Sequence, residues 1–195
     1  MADPGYIVDG VLTDGEAWVG IATTTLGSDT ATVTFTSTDD GQVGDFSQYM
    51  DLVLVSYVRL AVSAQLQSLV VRFNNDSGSS QYPTQRLVGN GSVVSAASQT
   101  TWSFLTLGEV PAANAGANMF GAVVSNLFDI NSGKYKSVVS SVASDTDSTY
   151  GSAQLWAGTW KSQAAIVEID LYNQYADIAA GSTFSLFGVL PRMVA

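Results

Sequence analysis

Apolar and polar residues alternate in short runs along most of this chain, with the two-residue period of β-strands. In residues 31–37, Val33 and Phe35 fall on one face and Thr32, Thr34 and Thr36 on the other. A long apolar run covers 50–60, with Arg59 near its end. In 67–73, Leu69, Val71 and Phe73 share a face and Arg72 takes the opposite one. The same pattern predicts strands at 85–88, 92–96, 102–107, 119–130, 135–142, 152–157, 164–172 and 183–189. Turn signals separate them: the acidic stretch 39–45, NNDSGSS at 74–80, Pro111 followed by 112–118, and DTDST at 145–149. Asn, Asp and Gly adopt turn geometries at low cost. Helix signals are poor, and 61–68 (AVSAQLQS) is the best place for a single helical turn. Residues 1–16 are rich in Gly and Asp and have little periodicity.

Many short strands with frequent turns predict an all-β fold, an antiparallel β-sandwich of jelly-roll type. Parallel sheets need crossover helices, which this pattern does not supply. The organisation expected is an irregular N-terminal arm, 1–16, and a single sandwich domain, 17–195. Two segments look alike: Gly151-Ser152-x-x-Leu155-Trp156-x-Gly158 and Gly181-Ser182-x-x-x-Leu186-Phe187-Gly188. They read as two edge-entering strands of similar design. The second is expected to be central, with Phe184 and Leu186 closing the core.

Composition narrows the chemistry. Among 195 residues there is no cysteine and no histidine. Disulfides, thiolate metal sites and triads built on His are therefore excluded. None of the seven Lys and Arg residues sits in a phosphate-binding glycine loop. Net charge is −10, which argues against nucleic-acid binding. Residues 1–51 hold nine acids (Asp3, Asp9, Asp14, Glu16, Asp29, Asp39, Asp40, Asp45 and Asp51) and no base. One reading is a solvated acidic surface. The sharper one is a segment that docks on a basic partner, with Asp3, Asp9, Asp14 and Glu16 as contacts. Charged residues make up only 12% of the chain, which suggests surfaces covered in an assembly or exposed to harsh conditions. The first ten residues, MADPGYIVDG, lack a basic n-region and an apolar h-region. No run approaches the roughly 18 apolar residues of a membrane span. The expectation is synthesis in a cytoplasm and no membrane partner.

The remaining candidates are weak as catalytic or ligand sites. Glu168 and Asp170 fall two apart on a strand and point to one face, but nothing nearby supplies a sugar cleft. Asp145 and Asp147 begin a calcium-loop pattern whose later ligands are missing, so a turn is the better reading. The Asn74–Asp76 stretch reads the same way. Trp18, Trp102, Trp156 and Trp160 offer a sugar-stacking platform, although aromatics in sandwiches are more often core or interface anchors. Asn75-Asp76-Ser77 and Asn90-Gly91-Ser92 match the N-glycosylation pattern, which means little without a secretory signal. No enzyme activity, cofactor or metal is expected.

The second half carries an ordered series: Phe128-Asp129-Ile130, Lys134-Tyr135-Lys136-Ser137, Ala157-Gly158-Thr159-Trp160-Lys161-Ser162-x-Ala164-Ala165-Ile166, and Ala180-Gly181-Ser182-Thr183-Phe184-Ser185-Leu186-Phe187-Gly188-Val189. The first half adds Arg72-Phe73-Asn74-x-Asp76-x-Gly78-Ser79, followed by Tyr82. Over about residues 45–190 the chain resembles a group of tailed-bacteriophage virion structural proteins. Their closing motif usually reads G-S-x-F-x-L-Y-G-I, and here Phe187 and Val189 take the last aromatic and aliphatic positions. The motifs are structural, with Phe73, Trp160, Ile166, Phe184 and Leu186 as core residues. The resemblance implies a virion structural protein, and the short single-domain chain, the lack of catalytic residues and the acidic N-terminal third favour a capsid decoration, or cement, protein on the outer surface of the phage head, made in the host cytoplasm. It would bind the major capsid protein and assemble as a homotrimer. The alternative is a tail or fibre component that binds the host surface, with a glycan as ligand.

Overall fold

Strands that switch repeatedly between two antiparallel sheets build the sandwich in the computed structural model, which describes residues 7–8, 11–12, 18–147 and 150–190. In the arm, β1 (Ile7–Val8) pairs with β2 (Val11–Leu12), so a segment expected to be irregular holds one short ladder. The larger sheet has eight strands. In spatial order they are β3 (Trp18–Thr25), β14 (Thr183–Val189), β5 (Asp51–Val58), β10 (Gly121–Phe128), β11 (Lys136–Asp145), β12 (Gly151–Trp160), β7 (Thr84–Gly89) and β8 (Val94–Gln99). The smaller sheet runs β4 (Thr32–Thr36), β13 (Glu168–Tyr172), β6 (Leu66–Phe73) and β9 (Leu105–Pro111). The fold is all-β, a sandwich of jelly-roll type.

The period-two pattern sends one face of each strand inward. Val33 and Phe35 enter the core from β4, and Leu69, Val71 and Phe73 from β6. Phe73, Trp160, Ile166, Phe184 and Leu186 are all buried in this one cluster. Burial of large apolar side chains, at roughly 25 cal/mol per Å², supplies the main driving force.

Each sequence motif has a local physical purpose. Asn74 and Asn75 adopt left-handed conformations at the end of β6. The Asn74 side chain then clamps the approach to β13: Nδ2 donates to the Ala165 carbonyl at 2.7 Å, and Oδ1 accepts from the Val167 and Glu168 amides. Asp76 accepts from the Gly78 amide through Oδ1 and from Trp160 Nε1 through Oδ2, at 2.8 Å. The Tyr82 hydroxyl donates to the Asp76 carbonyl and accepts from the Phe73 amide, and burial raises its pKa. In the closing motif, Gly181 takes a positive φ that a side chain would strain. Ser182 is fully buried and its Oγ accepts from the Arg59 amide. Gly188 faces the Tyr49 ring, which occupies the space a β-carbon would need.

Several expectations need correction. No helical turn forms in 61–68, because the Val62, Ala64 and Gln65 carbonyls accept from Ala113, Asn114 and Ala112. The tertiary partner displaces the local one. The only helical piece among the described residues is the 3-10 turn Phe46–Gln48, capped by Asp45. Strand β3 was not expected; Gly20 and a bulge opposite Leu186 and Phe187 break its alternation. β9 runs later than the expected 102–107 and ends on Pro111, which its edge position tolerates. Neither β12 nor β14 enters at an edge. β14 lies between β3 and β5, one strand in, and so is not central.

Candidate functional site

The outer face of the eight-stranded sheet has almost no charge. Four charged residues occur in its strands. Lys136 and Arg86 point to the inner side, opposite Trp160 and Trp156 in the ladders. Asp51 and Asp145 stand at strand ends. Between them the face presents Val55, Tyr57, Leu87, Val94, Phe128 and Leu155, all substantially exposed. Ala122, Ser141, Ala143 and Ala153 are small, and leave a shallow groove of about 630 Å³ across strands β10, β11, β12, β7 and β8. At its margin Tyr57 stacks on Phe120, with centroids 5.3 Å apart. A contiguous apolar sheet face of this kind is a candidate docking surface. Strand β8 borders it with a free edge and an uncharged sequence, VSAASQ.

A second feature lies on the inner side. Strand β9 ends the smaller sheet and packs against β10, β11 and β12. The larger sheet continues past it through β7 and β8. The overhang leaves a cleft of about 300 Å³ lined by Ser68, Arg86, Gln99, Trp102, Glu109 and Trp156, among others. Arg86 Nη1 donates to Glu109 Oε1 at 2.9 Å, and its guanidinium lies 5.4 Å from the Trp156 ring centroid. Gln154 holds Glu109 in place, accepting from its amide and donating to its carbonyl, both at 2.9 Å. Trp102 stacks on Phe104 with centroids 5.1 Å apart. Neither Arg86 nor Glu109 was singled out from the sequence, because nothing local signals that two distant strands bring them together.

The other candidate residues are occupied by structure. Glu168 accepts from Asn75 Nδ2, and Asp170 accepts from Thr34 Oγ1 at 2.6 Å, on the outer face of the smaller sheet. Asp145 caps the Asp147 amide in a turn. Among the described residues no group of three or more acidic side chains could hold a metal ion. Asn90 Oδ1 caps the Ser92 and Val93 amides in the β7–β8 turn. The four tryptophans form no common platform: Trp156 and Trp160 are buried, Trp18 lies against Phe187 on the outer face, and Trp102 faces the cleft.

Among the described acids of the N-terminal third, four accept hydrogen bonds within the fold. Asp3, Asp9, Asp14 and Glu16 lie outside the described residues. Of the others, Asp29 accepts from the Ala180 amide, Asp40 from Thr38 and Gln42, and Asp51 from the Asp129 amide. Asp45 is buried and accepts from the Ser47 and Gly41 amides. Hydrogen bonding, chiefly to Ser47, holds its carboxyl below the usual carboxylate range despite burial. Two cations are equally structural. The Arg59 guanidinium gathers the carbonyls of Ala113, Ala115, Gly116 and Met119 at 2.7–3.2 Å. Lys136 Nζ donates to the Ser132 and Lys134 carbonyls, and burial lowers its pKa.

No protein-family model matches the chain, and neither does any curated protein. Among solved structures, the Ruminococcus gnavus IT-sialidase CBM40 is similar with a TM-score of 0.29 and 11% identity, covering 89% of this chain and 95% of that one. The same module bound to alpha2,3 sialyllactose gives a TM-score of 0.25 at 11% identity, covering 79% of this chain and 92% of that one. A likeness at this level carries no argument about ligand. The class established by the fold is an antiparallel sandwich of jelly-roll type.

Proposed function

We propose that this chain is a non-enzymatic virion structural protein of tailed bacteriophages: a capsid decoration protein on the outer surface of the head that bridges neighbouring major capsid proteins. The motifs of the second half support the family, and each of them is accounted for by packing or loop anchoring. The observation that carries the docking role is the uncharged outer face of the eight-stranded sheet. Water solvates such a face poorly, and covering it with the apolar surface of a capsid protein is favourable. Three copies around a local threefold axis satisfy closed symmetry. The acids Asp3, Asp9, Asp14 and Glu16 add a salt-sensitive contact with basic capsid residues. No hydrolase, transferase or redox activity accompanies this role, and no nucleic acid or membrane is bound.

The test is co-sedimentation of the full chain with undecorated heads, alongside Leu155→Asp. Leu155 is exposed, so the substitution leaves the fold intact while placing a charge in the docking face. Wild type should pellet with heads in hundreds of copies per particle, and the variant should remain in the supernatant. Wild type failing to bind heads, or the variant binding as well as wild type, rejects the role of this face.

A further inference from the structure

We propose that the cleft between the β7–β8 overhang and β9 is a binding site for a neutral saccharide, with Trp102 as stacking platform and the Arg86–Glu109 pair as hydroxyl clamp. The site lies on the inner side of the overhang, away from the outer face, so it stands or falls independently of capsid docking.

Three features define the ligand. The first is charge. Among the described residues, Arg86 and Glu109 are the only ionisable ones lining the cleft, and they are paired at 2.9 Å. The site has no net charge to attract an anion or a cation, and an anion reaching Arg86 would meet the Glu109 carboxylate. The second is unused hydrogen-bonding capacity. Arg86 donates only through Nη1 among the described residues, which leaves the rest of its fork open. Glu109 accepts only through Oε1, leaving Oε2. Gln99 Oε1 accepts from the Thr100 amide at 3.0 Å, while its Nε2 makes no hydrogen bond to a described residue. Donors and an acceptor therefore stand side by side, both about one-third exposed. A sugar hydroxyl both donates and accepts, and two adjacent hydroxyls match a guanidinium–carboxylate pair.

The third feature is the aromatic pair. Phe104 is buried and stacks nearly parallel to the Trp102 indole, at 19°. It covers one face of the indole and fixes its orientation, and Trp102 lines the cleft. Saccharides combine apolar C–H faces with hydroxyl rims, so this mixture of one flat aromatic and a polar rim suits them. A volume of about 300 Å³ accommodates a mono- or disaccharide. The walls are pre-formed: Gln154 fixes the Glu109 backbone, and Trp156 backs the Arg86 guanidinium.

The experiment follows the indole N–H signals of the full chain by heteronuclear NMR during titration with lactose, cellobiose, maltose and N,N′-diacetylchitobiose. Free 3′-sialyllactose serves as the charged comparison. At least one neutral sugar should shift the Trp102 signal with a dissociation constant of about 1 mM, leaving Trp160 unmoved. Arg86→Lys keeps the charge but loses the planar fork, and should weaken binding about tenfold. Trp102→Ala should abolish it. If Trp102→Ala fails to fold, Gln99→Ala carries the test, since it removes only an edge-strand amide and should also weaken binding. No shift with any neutral sugar at about 20 mM overturns the proposal. So does binding that survives in folded Trp102→Ala, read on the Trp156 indole signal, binding by Gln99→Ala as tight as by wild type, or tighter binding of sialyllactose than of lactose.

Discussion

Trp160 shows how one side chain joins a core to a loop. Its ring packs 5.6 Å from Phe73 in the core, and its Nε1 donates to Asp76, which in turn shapes the turn after β6. Replacing it with Ala leaves a large cavity and an unpaired carboxylate oxygen. The expected cost is about 3–5 kcal/mol, read by chemical denaturation, with Trp160→Phe losing less. Asp45 gives the protein an acid-sensitive contact. Its folded pKa lies below the ordinary 3.8, so in acid the unfolded chain takes up the proton first. The stability it contributes is complete above pH 3.8 and disappears as pH falls through the folded value. Melting temperatures of wild type and Asp45→Asn should converge in that acidic window and diverge above it. Asn74, Asp76 and Tyr82 were legible as a motif in the sequence, but the partners of Asn74 and Asp76 in 160–168 were not. Those hydrogen bonds join residues 84–94 positions apart.

Elements were most legible where the alternation was clean. The expected 183–189 coincides with β14, and 31–37 brackets β4. Strand pattern failed in two ways. A bulge hid β3, and a segment with local helical character, 61–68, was captured by the neighbouring 112–114. In both, a partner distant in sequence overrode the local preference. Close approach between elements shows the same dependence. At Gly188 an added β-carbon would lie 2.3 Å from the Tyr49 ring, whose hydroxyl donates to the Val43 carbonyl. Gly188→Ala should therefore destabilise by about 1–3 kcal/mol through overpacking. At Gly89, on β7, a β-carbon meets open space. Gly89→Ala should stay within about 0.5 kcal/mol of wild type. Thermal melts of the two variants side by side distinguish packing from general intolerance of substitution in strands.

At the scale of the molecule, charge is segregated. The outer face of the eight-stranded sheet is uncharged between its margins, whereas the smaller sheet exposes Glu168, Asp170 and Arg72 on its outer side. In the proposed decoration role, a docking face without charge would give attachment that survives salt, and the acidic segment 1–16 would give attachment that salt weakens, because exposed pairs are screened within about 10 Å at 0.1 M. Removing residues 1–16 should leave the sandwich folded and lower attachment to heads at low salt. At high salt the truncated and full chains should bind alike. Co-sedimentation at two salt concentrations reads both effects, and equal binding at both shows that the arm is dispensable. Light scattering of the purified chain should give three times the monomer mass.

Local chemistry was enough to predict an all-β chain, most of its strands, its turns and the aromatic and aliphatic side chains that fill its core. Those features depend on residues a few positions apart: a period of two, a glycine or asparagine at a turn, an apolar side chain that water disfavours. The absence of histidine and cysteine likewise removed whole classes of chemistry without reference to shape. Neither candidate surface had such a signature. The uncharged face exists because eight strands, drawn from residues 18–189, lie side by side and turn the same parity outward. The cleft exists because one sheet is wider than the other, which places Arg86 of β7 against Glu109 of β9 in a cleft that Trp102 also lines. Strand order and sheet width come from pairings across long loops, whose energies depend on the whole packed core, and no short stretch of sequence encodes them.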